Sequence, residues 1–142
     1  MTDDTTAIAA LLHEYAFRLD AGDLDGVAAL FEHAEVRSNR RDQVLRGKAE
    51  VRTLYEPVIL YEDGTPRTVH QLTNVTIKVD DDGTRASSRC YFTVLAVTAQ
   101  GLHPILAGEY RDRFSRIDGE WHFAAREFVP MLVGDMSRHM RS

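Results

Sequence analysis

The chain has 142 residues, enough for one domain with a real core and a pocket. Its 44% hydrophobic and 27% charged residues are ordinary for a globular protein, and a net charge of −5 with no basic stripe excludes a nucleic-acid binder. A single cysteine excludes an internal disulfide, no Cys/His cluster has zinc spacing, and no apolar run approaches a membrane span, so neither a metal nor a membrane is expected as a partner.

The N-terminus is acidic and lacks a basic leader-like region, which predicts a reduced, cytoplasmic chain. Thr5 or Thr6 is placed to cap a first helix running to about Asp20, in which Ile8, Leu11, Leu12, Tyr15 and Leu19 recur at helical spacing. Ala21-Gly22 ends it, and Asp23 caps a short second helix from Leu24 to about Phe31. Two short strands follow, near Glu35–Arg37 and Gln43–Arg46. Gly47 opens a third helix over roughly Lys48 to Leu60, which Pro57 kinks or shortens.

After Gly64 and Pro66 the pattern changes to period two. Four strands are predicted, about 67–79, 84–98, 103–117 and 120–131, with tight-turn signals at Asp82-Gly83 and Asp118-Gly119. Ala86, Cys90, Phe92, Val94 and Ala96 form the apolar face of the second, so Cys90 reads as a buried, inert thiol. Arg138, His139 and Arg141 read as a mildly basic tail. Helices first and a long antiparallel meander after them predict an α+β domain spanning 1–142, with the helices on one side of a curved sheet.

Three polar residues are candidates for chemistry. His70 lies in the strand Thr68-Val-His-Gln-Leu-Thr-Asn74, and histidine is the side chain best suited to proton transfer near neutral pH. It shares a face with Leu72 and Asn74, whereas the opposite face carries Val69, Val75, Ile77 and Val79. Alternation alone therefore leaves its direction open. Asp20 closes the first helix, where the helix dipole disfavours a carboxylate unless a donor such as a histidine N–H compensates. Equally, it reads as a solvated acid in an Asp/Gly-rich loop. Arg126 alternates with His122, Ala124 and Phe128. It reads either as an anion or leaving-group binder or as a salt-bridge partner of Glu109, Glu127 or another surface acid. His103 is placed to line a pocket mouth. Tyr15, Tyr55 and Tyr91 offer hydroxyls, although packing is the default role of each. His13 and His33 read as exposed, and Trp121 as core. No phosphate loop, nucleophile elbow or metal motif is present, and no cofactor is expected.

The opening Ala7-Ile-Ala-Ala-Leu-Leu-His-Glu-Tyr-Ala-Phe-Arg-Leu-Asp-Ala-Gly-Asp-Leu-Asp-Gly-Val-Ala-Ala-Leu-Phe31 resembles SnoaL-like proteins of the nuclear transport factor two-like superfamily. Leu45-Arg-Gly47, Thr68–Asn74 and Asp118-Gly-Glu-Trp-His-Phe123 agree. The resemblance implies a cone-shaped α+β barrel of cystatin-like topology around a deep pocket. Within the superfamily the chain looks most like the hexachlorocyclohexane dehydrochlorinase branch, with scytalone dehydratase a more distant cousin. That branch implies an Asp–His dyad at Asp20 and His70 and a catalytic arginine at Arg126, five residues after Trp121. It implies a pocket including Tyr15, Tyr55, Leu72, Phe92, His103 and Phe128, and a homodimer or homotrimer. The implied activity is that of a cofactor-independent lyase or isomerase on a small hydrophobic molecule. The alternatives are a non-catalytic binder of such a molecule, or an assembly module like the small subunit of a ring-hydroxylating oxygenase. The fold alone does not choose among them.

Overall fold

The computed structural model describes residues 3–141. Three helices, α1 (Asp4–Asp20), α2 (Leu24–Ala29) and α3 (Gly47–Arg52), pack on a single six-stranded sheet. Its strands are β1 (Glu35–Ser38), β2 (Arg41–Arg46), β3 (Thr68–Val79), β4 (Arg85–Thr98), β5 (Gly101–Ile117) and β6 (Glu120–Val133). Their order is β2-β1-β6-β5-β4-β3, so β2 and β3 are free edges and the curved sheet does not close. All neighbours are antiparallel except β1 and β6, which run parallel with Val36 opposite Arg126.

The helix boundaries follow from local chemistry. Asp3, not Thr5 or Thr6, caps α1: its Oδ1 accepts the Thr6 N–H at 2.7 Å, and a carboxylate there also suits the helix dipole. Asp23 caps α2, accepting the Gly26 N–H at 2.9 Å. The third helix is shorter than its pattern suggests. It passes at Thr53–Tyr55 into one 3-10 turn, and Pro57 has no N–H with which to continue it past the Thr53 carbonyl.

Between β5 and β6, Asp118 (φ 50°) and Gly119 (φ 83°) form a two-residue turn in which both residues are left-handed. The β3–β4 connection is longer than a two-residue turn, with Gly83 donating to the Asp80 carbonyl at 2.9 Å. The core lies between helices and sheet, where Ile8, Leu12, Val27 and Phe31 meet Phe92, Tyr110, Phe114 and Phe123. Trp121 belongs to that core, and its indole N–H donates to Asp4 at 3.1 Å. Cys90 is buried, and burial pushes its thiol up to about 11, which leaves it unreactive near neutral pH.

The direction of His70 is decided within β3. Pairing with β4 shifts register between Thr73 and Thr76, and Asn74 adopts φ 54°. This bulge inverts the alternation. Before it, Thr68, His70 and Leu72 face inward. After it, Ile77 and Val79 do, while Val69 and Val75 are exposed. Leu72 on one side of the phase break and Ile77 and Val79 on the other, which fall on opposite faces of an unbroken alternation, thus share one inner face.

Candidate functional site

A cavity of about 290 Å³ opens between the helices and the concave face of the sheet. Tyr15, Tyr55, Phe92, Tyr110 and Phe128 supply its aromatic wall, and His70, Arg126 and His139 place basic side chains in that wall away from the mouth. Arg40 and Arg41 lie at its rim, on the β1–β2 hairpin.

Asp20 and His70 meet. The Schellman-type end of α1, with Gly22 at φ 79°, delivers the Asp20 carboxylate against the first residues of β3. Its Oδ1 lies 2.6 Å from His70 Nδ1 and accepts the Thr68 hydroxyl at 2.8 Å. Its Oδ2 accepts the His70 backbone N–H at 2.8 Å. Burial raises the Asp20 carboxyl, but the bonds and charge from His70, with the Thr68 hydroxyl, outweigh it and hold the group below its ordinary value. These donors also supply the compensation that a carboxylate at a helix C-terminus needs. The His70 ring is almost wholly enclosed, at 5% side-chain exposure, and is fixed at both Nδ1 and its own backbone.

Arg126 lies deep in the fold, with Nε 2.7 Å from Asp112 Oδ1 and Nη2 3.0 Å from Asp112 Oδ2. Its guanidinium carbon sits 3.8 Å from the Tyr110 ring centroid and 4.2 Å from that of Tyr15. The partner is therefore Asp112, not Glu109 or Glu127. Asp112 keeps Arg126 charged, with a pKa above its ordinary value despite burial, and Nη1 remains buried without a partner among the described residues. Above the pair, the Tyr15 and Tyr55 hydroxyls are 3.0 Å apart, and burial pushes the Tyr55 phenol well up, so it stays protonated.

Of the other expected pocket residues, Tyr15, Tyr55, Phe92 and Phe128 line the cavity, and Leu72 and His103 do not. Leu72 packs into the core one pleat beyond His70. His103 is exposed opposite Ala96, where β4 and β5 run on past the paired ends of β3 and β6 as a projecting hairpin. Tyr91 lies on the outer sheet face, and His13 and His33 are exposed.

Asp112 was missed in the sequence, where the one signal for it is an acid at an inward position of the alternation Tyr110, Asp112, Phe114 of β5, opposite Arg126. His139 carried no such signal. It is not part of a solvated tail but is buried against the cavity, because residues 57–59 bind the chain around it.

Residues 1–127 match the SnoaL-like domain. The chain belongs to this family. No curated protein sequence matches it. Among solved structures it is similar to a protein of unknown function from Mycobacterium tuberculosis, at 27% identity over 92% of this chain and 73% of that one, with a TM-score of 0.74. An NTF2-like protein with a cystatin-like fold from Novosphingobium aromaticivorans is 21% identical over 90% and 82%, with the same TM-score of 0.74. A scytalone dehydratase-like protein from that organism is 23% identical over 93% and 87%, also at 0.74. The SnoaL-like chain thus has the cystatin-like fold, and these likenesses at 21% and 23% identity speak to fold alone.

Proposed function

We propose that this SnoaL-like protein is a cofactor-independent lyase or isomerase that uses an Asp20–His70 dyad to abstract a proton from a small hydrophobic molecule. The observation that carries this reading is the grip of one carboxylate on His70 at both Nδ1 and the backbone N–H, with the ring forming part of a cavity wall. A histidine tied only to backbone would suit a passive binding pocket. A histidine oriented by a half-buried carboxylate suits a group that takes up and returns a proton.

Asp20 accepts the Nδ1 proton, which leaves Nε2 as the base, and it stabilises the imidazolium that forms. Nε2 takes the proton from an acidic substrate C–H. Arg126, through its unbonded Nη1, offsets negative charge developing on the substrate, and the Tyr15–Tyr55 hydroxyl pair offers further donors.

A panel of small hydrophobic ketones, β-hydroxy ketones and halides, followed by NMR in deuterated water, tests this. Wild type is expected to exchange or eliminate at a C–H of at least one, with His70→Ala lowering kcat/KM by about 10³-fold or more. Undiminished turnover by His70→Ala of a substrate that wild type converts overturns the proposal.

A further inference from the structure

The cavity wall holds a second histidine that this mechanism leaves unused. The ring of His139 stands with its centroid 6.4 Å from that of His70, the planes inclined at 63°. His139 is only 6% exposed. The segment that carries it is fastened to the stretch after α3. Ile59 donates to the His139 carbonyl at 2.8 Å, Arg141 donates to the Pro57 carbonyl at 2.8 Å, and the Tyr61 hydroxyl donates to the Arg138 carbonyl.

His139 Nδ1 is buried and has no hydrogen-bond partner among the described residues. The side chains that share this part of the cavity wall, Val58, Val133, Met136 and Met140, are apolar. Leaving a polar nitrogen unpaired in such a place is unfavourable, and an apolar side chain of similar size would avoid the penalty. The ionisable groups facing His139 are His70 and, behind it, Asp20. Burial and the neighbouring His70 push His139 down to about 4, so the ring is neutral at neutral pH. A neutral imidazole carries one donor and one acceptor.

We propose that His139 is a substrate-binding residue that hydrogen-bonds an oxygen of the substrate, so that the cavity takes an oxygenated hydrophobe such as a ketone rather than a plain or halogenated hydrocarbon. Two imidazoles at this separation flank one carbonyl unit, with His70 on the adjacent C–H and His139 on the oxygen. The C–H bond breaks and its proton passes to His70 Nε2. The electron pair moves toward the carbonyl, whose oxygen takes up the negative charge that the His139 N–H meets. A few polar groups placed in a mostly apolar pocket are what fix a ligand's orientation.

The inference rests on reading this cavity as the dyad's substrate site, and a binding measurement separates the two. The probes are 1-indanone and its oxygen-free counterpart indane, titrated into wild type, His139→Phe, His139→Gln and His70→Ala, each first checked for cooperative unfolding. The quantity read is the ratio of the two affinities, which cancels changes in cavity volume. It is expected to move about tenfold against the ketone in His139→Phe, to stay near wild type in His70→Ala, and to fall between in His139→Gln. In wild type carrying ¹⁵N-labelled histidine, 1-indanone and not indane is expected to shift a ring-nitrogen resonance of His139. An affinity ratio unchanged by His139→Phe overturns the proposal, as does wild type that binds neither bicycle. Loss of turnover is not part of this readout, so a failed dyad with an intact ketone preference, or the reverse, is recognisable.

Discussion

At the residue scale, His139 and Asp20 both lose their contribution to stability in acid, but in different pH windows. His139 has a folded-state pKa near 4 against an ordinary 6.5, so on acidification the unfolded chain takes up its proton first. Its contribution to stability is complete above about pH 6.5 and declines as the pH falls to about 4. The size of the shift corresponds to roughly 3 kcal/mol. The Asp20 carboxyl, held below its ordinary 3.8, contributes stability that is present above that value and is lost only as the pH drops through its lower folded-state value. Urea unfolding between pH 7.5 and 4.5 is therefore expected to show a stability decline in wild type that is much shallower in His139→Phe. Parallel pH profiles for the two proteins would show that His139 is protonated as readily when folded as when unfolded.

At the element scale, what was legible depended on whether a residue's partner lay within its own periodic pattern. The strands of the meander, their inward faces and the caps at Asp23 and Gly22 follow from local spacing. So does the Asp118-Gly119 turn. The bulge at Asn74 does not, because a single left-handed residue inside a strand leaves the composition unchanged while reversing every side chain beyond it. The direction of His70 depended on that residue. The seat of His139 depended on backbone bonds to residues 57–59, which carry no side-chain signature. The junction of α1 and α2 is the element whose geometry matters most for the dyad. A Cβ on Gly22 would stand 2.0 Å from the Gly64 carbonyl oxygen, in a backbone conformation of φ +79°. Gly22→Ala is expected to cost at least about 2 kcal/mol and to lower any dyad-dependent turnover, since Asp20 lies two residues upstream. Gly119→Ala, at φ +83° but in open space, is the control and is expected to cost about 1 kcal/mol. Equal losses in the two, measured by urea unfolding, would show that the close approach at Gly22 relaxes freely.

At the scale of the whole molecule, one sheet serves two environments. Its concave face holds the core and the cavity. Its outer face is charged around Arg89, Glu109 and Arg111 and apolar toward the projecting hairpin, where Val69, Val97, Leu102 and Leu132 are exposed. We propose that this apolar patch beside an ionic one mediates self-association. Light scattering is expected to give a dimer or trimer mass, and Val97→Glu with Leu132→Glu is expected to reduce it to that of the monomer. A monomeric wild type at high micromolar concentration would leave that face without the role given to it.

The fold holds the His70 ring, oriented by Asp20, against the cavity, and the proposed proton abstraction depends on which nitrogen of His70 carries the proton. Long-range ¹H–¹⁵N correlation spectra of histidine-labelled protein at pH 7.5 read this directly, with no substrate needed. The account predicts a His70 ring protonated at Nδ1, the proton shared with Asp20, and a bare Nε2, with that tautomer lost in Asp20→Ala. A ring protonated at Nε2, or a tautomer indifferent to Asp20→Ala, would contradict it.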